Sequence, residues 1–258
     1  MVWKAVHEEA SRIAAEEHRL APLMEDVFLS RDSFACASAA RLSRKLARED
    51  MTRDELFPLL VEILGEHPEI VESMAWDTIA IFDRDPACTS VIQPLLFYKG
   101  YMAIATYRIS HQLWKNERRD LALYFQSLSS EVFSVDIHPA ARIGCGIFLD
   151  HATSLVIGET AIVEDDVSIL HEVTLGGTGK VSGNRHPIIR SGVMLGAGAK
   201  ILGRVEIGRG AKVGAGSVVL SDVDPKKTVA GVPAVVVGDS FEESPAKAMD
   251  QSLSCSGL

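Results

Sequence analysis

The hydrophobic positions in the first half of the chain, up to about residue 130, follow the period of an α-helix. Apolar residues there recur at spacings of three, four or seven, which places them on one face of a helix. The first such stripe comprises Trp3, Val6, Ala10, Ile13 and Leu20. We therefore expect a bundle of short helices over this half.

Several helix boundaries can be predicted in the same half. Thr52 and Glu55 form a capping-box signature ahead of an apolar run. Pro68 suits the first turn of a further helix, and Asp85 with the proline after it closes that helix. The run 95–114, LLFYKGYMAIATYRISHQLW, is predicted to be one more helix. Because this half holds more large apolar residues than its own core needs, this run above all, we expect it to join subunits.

From Asp136 the hydrophobic period becomes six. Aliphatic anchors recur there, and small or turn-forming residues follow each of them. The anchors are Ile137, Ile143, Leu149, Ile157, Val163, Ile169, Leu175, Ile189, Leu195, Ile201, Ile207, Val213 and Val219. Internal hexapeptide repeats are typical of a parallel β-helix, in which three units close one triangular coil and the anchors point inward. The pattern predicts about four coils.

Two steps between anchors are longer than six residues. One step contains His151, and the other adds the loop GGTGKVSGNRHP, which carries Arg185 and His186. A solenoid accommodates insertions as loops that project from one face, commonly the binding face. Polar chemistry is therefore expected where the repeat is broken.

Composition and charge argue against several classes of protein. A net charge of −9 does not suit a nucleic-acid partner, which needs clustered Lys and Arg. No run approaches the ~18 apolar residues of a membrane span, and the N-terminus lacks a signal-peptide core. The four cysteines, Cys36, Cys88, Cys145 and Cys255, have no metal-type spacing. We expect a cytoplasmic protein with reduced thiols and no metal.

His151 is the first residue with catalytic potential. Asp136 lies 15 residues earlier, close to one 18-residue coil, so the two side chains can be neighbours on stacked coils. An aspartate that accepts one imidazole N–H fixes the tautomer and makes the other nitrogen a better base for an alcohol proton. The alternative is a histidine at the surface whose hydrogen bonds have no catalytic role.

Charged residues near the two breaks can bind a zwitterion. Arg185 suits a carboxylate and Asp150 suits an ammonium, with His186 beside them. The alternative is a solvated loop with ordinary charges. The later coils expose small residues that can admit the pantetheine arm of CoA, with Lys200 or Lys212 at its phosphates. Corner geometry alone also explains those glycines and alanines.

The motifs on these residues resemble serine acetyltransferase, the first enzyme of cysteine biosynthesis from serine. They are VDIHPAA, DHATS, TLGGTGK, RHP and AGVPA, with RDPA and PLLFYKGYMAIATYRISHQLW in the helical half. The resemblance covers residues 70–238 and implies acetyl transfer from acetyl-CoA to L-serine. It implies an α+β fold: an α-helical oligomerisation domain (1–135), a left-handed β-helix acetyltransferase domain (136–238) and a flexible tail (239–258).

The resemblance also implies roles for individual residues. The general base is His151 and its partner is Asp136, whereas Asp85 and Asp150 hold the serine. Arg185 and His186 reach the serine carboxylate and the reacting centre from a neighbouring subunit. The residues implied along the CoA arm are Gly177, Thr178, Ala197 and Ala215, with Lys212 near the phosphates.

Partners and regulation follow from the same resemblance. It implies a trimer or a dimer of trimers, inhibition by L-cysteine, and docking of O-acetylserine sulfhydrylase on the C-terminal tail. Two residues depart from the family pattern: Ser154 stands where many members have glycine, and Leu258 stands where members often end in isoleucine.

Three alternatives remain open from the sequence. A related hexapeptide acyltransferase would acylate a sugar or an amine. A zinc hydratase on the same fold needs three histidines on the metal, to be drawn from His138, His151, His171 and His186. The third alternative is a purely structural helical and solenoid scaffold.

Overall fold

The computed structural model describes residues 2–179, 182–240, 242 and 244–252. Its first half is helical, as the hydrophobic period predicted. The helices are α1 (Val2–Glu16), α2 (Ala21–Met24), α3 (Phe34–Leu46), α4 (Arg53–Glu66), α5 (Pro68–Arg84), α6 (Gln93–Phe97), α7 (Lys99–Lys115) and α8 (Arg119–Phe133), with a π-helical turn over Glu25–Leu29. None of them, within this described part, is both long and apolar enough to cross a membrane.

The predicted helix boundaries are confirmed in two places. The backbone N–H of Thr52 donates to Glu55 Oε2 at 2.8 Å, which completes the capping box of α4. Pro68 begins α5, and that helix ends immediately before Asp85.

The prediction of one helix over 95–114 is wrong. Tyr98 is extended, with φ −90° and ψ 109°, so the run is divided between α6 and α7. The break places Gly100 against the first β-helical coil, where a Cβ atom would lie 2.0 Å from the Leu149 carbonyl oxygen. Only glycine permits this contact, because any side chain would collide with that carbonyl.

The apolar residues of the same run serve this chain's own core rather than a surface. Leu95, Leu96, Leu113 and nearly all of α7 between them are buried. The expectation that this run offers spare apolar surface is therefore wrong, with Phe97 as its exception at 60% exposed. Other exposed apolar side chains of the helical half are Val61, Trp76, Phe82 and Leu123.

The second half is a left-handed parallel β-helix. Its strands fall on the thirteen anchors. They are β1 (Val135–Ile137), β2 (Arg142–Ile143), β3 (Phe148–Leu149), β4 (Leu155–Ile157), β5 (Ile162–Val163), β6 (Ser168–Ile169), β7 (Thr174–Gly176), β8 (Ile188–Ile189), β9 (Met194–Leu195), β10 (Lys200–Leu202), β11 (Glu206–Ile207), β12 (Lys212–Val213) and β13 (Val218–Val219). A hairpin of β14 (Lys227–Gly231) and β15 (Ala234–Asp239) follows.

Three sheets form the sides of the β-helix. The first has the order β1-β4-β7-β10-β13, the second β2-β5-β8-β11, and the third β3-β6-β9-β12-β14-β15. Because the register is parallel, each anchor stacks on the anchor one coil further on, as Ile157 does on Leu175. All the anchors are buried except Ile143, which is half-buried. The repeat therefore builds one continuous core, as predicted.

Polar contacts join the helices to the first coil. Tyr107 Oη donates to the Ala141 carbonyl at 2.6 Å, and one ring nitrogen of His111 lies 2.7 Å from the Pro139 carbonyl. These bonds fix α7 along the β-helix, so residues at the ends of helices can contribute to a site on the coils.

The chain beyond β15 returns to the helical half. A short helix, α9 (Pro245–Ala248), packs against α5. Ala246 is fully buried, its N–H donates to the Gly192 carbonyl, and its carbonyl accepts from Ser168 Oγ at 2.8 Å. This part of the predicted flexible tail is thus held by the fold, because its backbone is paired and buried. Leu258 lies outside the described residues.

Candidate active site

Most of the residues expected at the site lie at two of the three corners of the β-helix. Corner A comprises the turns from the third sheet to the first, at 150–154, 170–173, 196–199 and 214–217. Corner B comprises the described residues of the turns from the first sheet to the second, at 138–141, 158–161, 177–179 with 182–187, and 203–205. A strand of two or three residues, about 7–10 Å, separates the two corners along each coil.

His151 lies at corner A, in the turn that the irregular step predicted. Its side chain is 77% exposed, and Nε2 lies 3.8 Å from Asp150 Oδ1. The ring of His171, one coil further on, meets it edge to face with centroids 6.0 Å apart. The imidazole of His151 is therefore accessible to an acceptor substrate while a carboxylate remains beside it.

The turn that carries His151 has an unusual backbone. His151, Ala152 and Ser154 all have φ between 54° and 58°, the left-handed region that disfavours side chains. Each such residue costs about 1–3 kcal/mol and persists only where surrounding contacts impose it. The glycine of many family members at position 154 suits this conformation, and Ser154 adopts it here with its N–H donating to the Ser134 carbonyl at 2.8 Å.

Asp85 reaches corner A from the helical half. It caps the end of α5, and its Oδ1 accepts the N–H of Ala87 at 2.8 Å. Asp85, Asp150 and His151 line one cleft of about 1000 Å³. Burial raises the pKa of Asp150, and the Asp85 carboxylate adds to this while His151 opposes it. Two carboxylates and an imidazole thus converge on one space.

Asp136 does not join this group within the chain. Its Oδ1 accepts a hydrogen bond from Gln126 Nε2 of α8 at 2.6 Å. Across the described residues the carboxylate within 4 Å of the His151 ring is that of Asp150 and not that of Asp136. The pairing of Asp136 with His151 stays a prediction.

Arg185 and His186 lie at corner B. Arg185 Nη2 donates to Glu159 Oε2 at 2.9 Å, and His186 is buried rather than projecting with its loop. The loop folds back here because the Thr160 hydroxyl accepts the backbone N–H groups of both residues. A Cβ atom on Gly158 would lie 2.0 Å from His186 Nε2, so the ring packs against bare backbone.

The contacts of His186 define its protonation state. The backbone N–H of Thr160 donates to His186 Nδ1 at 3.1 Å, so the ring proton resides on Nε2. Burial lowers the pKa of His186, and the Arg185 guanidinium adds to the effect. His186 is therefore a neutral donor through Nε2–H.

Comparisons with known proteins identify the family of this chain. A family model described as serine acetyltransferase, N-terminal, matches residues 2–106, and one for bacterial transferase hexapeptide repeats matches residues 186–221. The serine acetyltransferase of Salmonella typhimurium is 51% identical over 251 residues, covering 97% of this chain and 92% of its own. This chain belongs to the serine acetyltransferase family. It is an acyltransferase.

Solved structures of the family have the same fold. The serine acetyltransferase of Vibrio cholerae superposes with a TM-score of 0.96 at 50% identity, covering 97% of each chain. A serine acetyltransferase in complex with cysteine has a TM-score of 0.96 at 47% identity, covering 98% of each chain. The Brucella abortus serine acetyltransferase, in complex with coenzyme A, has a TM-score of 0.91 at 47% identity, covering 93% of this chain and 96% of its own.

The residues that the family resemblance implies for CoA are also divided between the corners. Ala197 and Ala215 continue corner A below His171, linked by backbone hydrogen bonds from Gly198 to the His171 carbonyl and from Gly216 to the Ala197 carbonyl. Gly177 and Thr178 lie at corner B. There a Cβ atom on Gly177 would come within 3.2 Å of the Arg185 side chain.

Lys212 lies away from both corners, on the third sheet. Its side chain is 8% exposed, Nζ donates to the Ser252 carbonyl, and Asp250 Oδ2 lies 3.9 Å away. The segment 250–252, called the C-terminal segment below, therefore covers Lys212. Lys212 is the cation that the family resemblance assigns to the CoA phosphates.

Several residues of the cleft had no role in the sequence analysis. Lys99 Nζ donates to Thr153 Oγ1 at 2.5 Å, which joins the start of α7 to the turn that carries His151. Tyr98 faces Cys88 and Asp85: burial raises its pKa and both neighbours add to the effect. Lys99 and Gly100 directly follow the apolar stretch 95–98, which is the signal that could have identified this segment.

The remaining reactive side chains are the histidines considered for zinc and the cysteine thiols. The four histidines considered for zinc separate into two pairs, His151 with His171 and His138 with His186. Over the described ranges no three His, Cys, Asp or Glu side chains lie close enough to hold a metal ion. Cys36, Cys88 and Cys145 are free thiols, and Cys255 lies outside those ranges.

Proposed function

We propose that this chain transfers the acetyl group of acetyl-CoA to the hydroxyl of L-serine, giving O-acetyl-L-serine and CoA. The observation that carries the proposal is the convergence of Asp85, Asp150 and His151 on one cleft. Family structures in complex with coenzyme A, with cysteine and, for the soybean enzyme, with serine support the choice of ligands.

His151 acts as the general base in a direct transfer. It takes the proton of the serine hydroxyl as that oxygen attacks the thioester carbonyl carbon. The tetrahedral intermediate collapses, the carbon–sulfur bond breaks, and the imidazolium returns the proton to the CoA thiolate. Cys145 is not the nucleophile, because burial raises its thiol pKa and it lies at a corner away from the cleft.

The two charged ends of serine need groups from both corners. Asp85 and Asp150 suit its ammonium at corner A, whereas Arg185 and the Nε2–H of His186 suit its carboxylate at corner B. Because one chain keeps these corners a strand length apart, the complete site forms between the corner A of one subunit and the corner B of the next. A closed ring of identical head-to-tail contacts satisfies this requirement.

The domains and the assembly follow from that arrangement. We assign catalysis to 136–238, with three chains in a ring, and oligomerisation to 1–135, which joins two such trimers. Exposed Trp76 and Phe82 on α5 support a contact through the helical half. Docking of O-acetylserine sulfhydrylase on the tail at 239–258 and the cytoplasmic location stay predictions.

Regulation by L-cysteine uses the same site. Cysteine differs from serine by one atom, so a pocket that binds both charged ends of serine discriminates poorly against it. The contact of the C-terminal segment with Lys212 supports obstruction of the CoA site by that segment. We place the cysteine thiol beside His151, with its ammonium on Asp85 and Asp150.

Release of CoA from acetyl-CoA, with and without L-serine, tests the proposed function. We expect release only with serine, and O-acetyl-L-serine as the product identified by mass spectrometry. Release that depends instead on a sugar or an amine would contradict the proposal in favour of another hexapeptide acyltransferase. Turnover that is lost when a chelator removes bound zinc would favour the zinc hydratase.

A further inference from the structure

Lys99, at the start of α7, holds the turn of the β-helix that carries the catalytic base. We propose that Lys99 is a positioning residue: its hydrogen bond to Thr153 fixes the 150–154 turn and so sets the orientation of His151. This inference rests on the proposed function for its kinetic consequences. Its structural part, the restraint of the turn, stands independently of the substrate.

The 150–154 turn needs restraint from outside itself. Three of its residues, His151, Ala152 and Ser154, have left-handed backbone conformations. Its own backbone supplies the bond from the N–H of Ala152 to the Asp150 carbonyl at 2.5 Å. The His151 side chain is largely exposed and contacts only one side of its surroundings, Asp150 and the His171 ring, so the backbone of the turn also sets its orientation.

Backbone bonds at both ends hold the turn, from Asp150 N–H to the Ile169 carbonyl at 2.9 Å and from Ser154 N–H to the Ser134 carbonyl at 2.8 Å. Thr153 adds contacts to two neighbouring elements. Its carbonyl accepts the N–H of Glu172 from the next coil at 2.7 Å. Its hydroxyl accepts a hydrogen bond at 2.5 Å from the ammonium of Lys99, which lies 54 positions earlier in the chain. The backbone bond holds the turn against the coil below, and the side-chain bond holds it against the helical half.

The position of Lys99 is itself fixed by its neighbours. Gly100 packs against the end of β3, where a Cβ atom would lie 2.0 Å from the Leu149 carbonyl oxygen. Tyr98, on the other side, faces Asp85. The segment 98–100 therefore contacts both carboxylate-bearing edges of the cleft and can transmit the geometry of the helices to the His151 turn.

A different role for Lys99 is a direct charge interaction with a ligand, because its side chain also lines the cleft. Two variants separate the two roles. Thr153→Val removes the acceptor and keeps the cation, whereas Lys99→Met removes the cation and the bond together. A restraint through Thr153 makes the two variants equivalent, and their combination no worse than either alone.

The kinetic experiment measures kcat and KM for both substrates in Lys99→Met, Thr153→Val and the double variant. We expect kcat to fall about tenfold in all three, with each KM changed less than about threefold, because a misplaced base affects the transition state more than binding. Lys99→Arg should restore most of kcat. Lys115→Met, at the other end of α7 and exposed, is the matched control and should behave as wild type.

Hydrogen exchange of the backbone amides gives a readout that needs no activity. In Lys99→Met and Thr153→Val the amides of Ala152 and Ser154 should exchange faster, with little change elsewhere in the β-helix. Wild-type protein that releases no CoA with serine would contradict the proposed function and leave this measurement intact. Unchanged exchange in both variants, or a Thr153→Val variant with normal kcat beside an impaired Lys99→Met, would overturn the inference.

Discussion

Asp77 of α5 and Arg108 of α7 form a buried bidentate ion pair that also contacts the first coil of the β-helix. Arg108 Nε donates to Asp77 Oδ2 at 2.7 Å and Nη2 donates to Oδ1 at 2.9 Å. Arg108 also donates to the Gly144 carbonyl, and Asp77 accepts the N–H of Ile147 at 2.9 Å. The pair is fully satisfied by groups from three separate elements, so it fixes α5, α7 and the coil relative to one another.

Removing one partner of this pair should destabilise the fold strongly. Arg108→Met leaves the Asp77 carboxylate buried without its cation, which typically costs about 3–5 kcal/mol. Arg12→Met is the matched control, because Arg12 pairs with Glu16 on the exposed face of α1 and such pairs contribute about 0–1 kcal/mol. Equal midpoints for the two variants in urea unfolding would contradict the role given to Asp77 and Arg108.

Substitution of the proposed base should abolish most of the activity without affecting binding. His151→Ala is expected to lower kcat by about 10²- to 10⁴-fold, the usual contribution of general-base catalysis. Asp136→Asn should cost less, because it changes orientation rather than removing the base. Steady-state rates at saturating serine decide this, and a His151→Ala variant with near-normal turnover would contradict the mechanism.

Serine binding should weaken on acidification at a pH above the ordinary range of an aspartate. Burial, with the added charge of Asp85, raises the pKa of Asp150, and only the ionised carboxylate attracts the serine ammonium. Binding therefore strengthens as pH rises through the raised pKa. Calorimetric titration of His151→Ala with L-serine isolates this effect from the imidazole, although loss of His151 raises the pKa of Asp150 further while His171 opposes the shift. Affinity that is independent of pH between 4 and 8 would count against Asp150.

L-cysteine should inhibit competitively against serine. The same Asp85, Asp150 and Arg185 contacts hold its two charged ends, so added serine relieves the inhibition. Asp85→Ala is expected to lose the inhibition and to raise KM for serine as well. Titration of the wild-type enzyme with cysteine at fixed low serine is the measurement, and a flat response would refute the regulatory part of the proposal.

The β-helix could be predicted because its geometry repeats in the sequence. Every anchor fills the same interior position of a coil, so a six-residue period is the direct imprint of the core, and β1 to β13 fall on the anchors. His151 and Arg185 were visible for the same reason, since they interrupt the period. Asp85 left no such trace, because it enters the cleft from the end of a helix.

The remaining features depend on contacts between distant residues. The break at Tyr98 lies beside the contact of Gly100 with Leu149, and no local pattern reports that contact. Lys99 and Thr153 are 54 positions apart, and the fold alone brings them together. Burial of Ala246 likewise depends on a surface formed by α5 and the coils, so composition alone predicted a flexible tail where the structure has α9.

Complementation between inactive subunits tests the central claim, a site shared by corner A of one chain and corner B of its neighbour. His151→Ala retains a functional corner B, and Arg185→Ala retains a functional corner A. Co-expressed in equal amounts, the two chains should assemble at random, so about one site in four combines both intact corners. We predict about a quarter of wild-type serine-dependent CoA release from the mixture. Activity no higher than that of the better single variant would contradict the shared site.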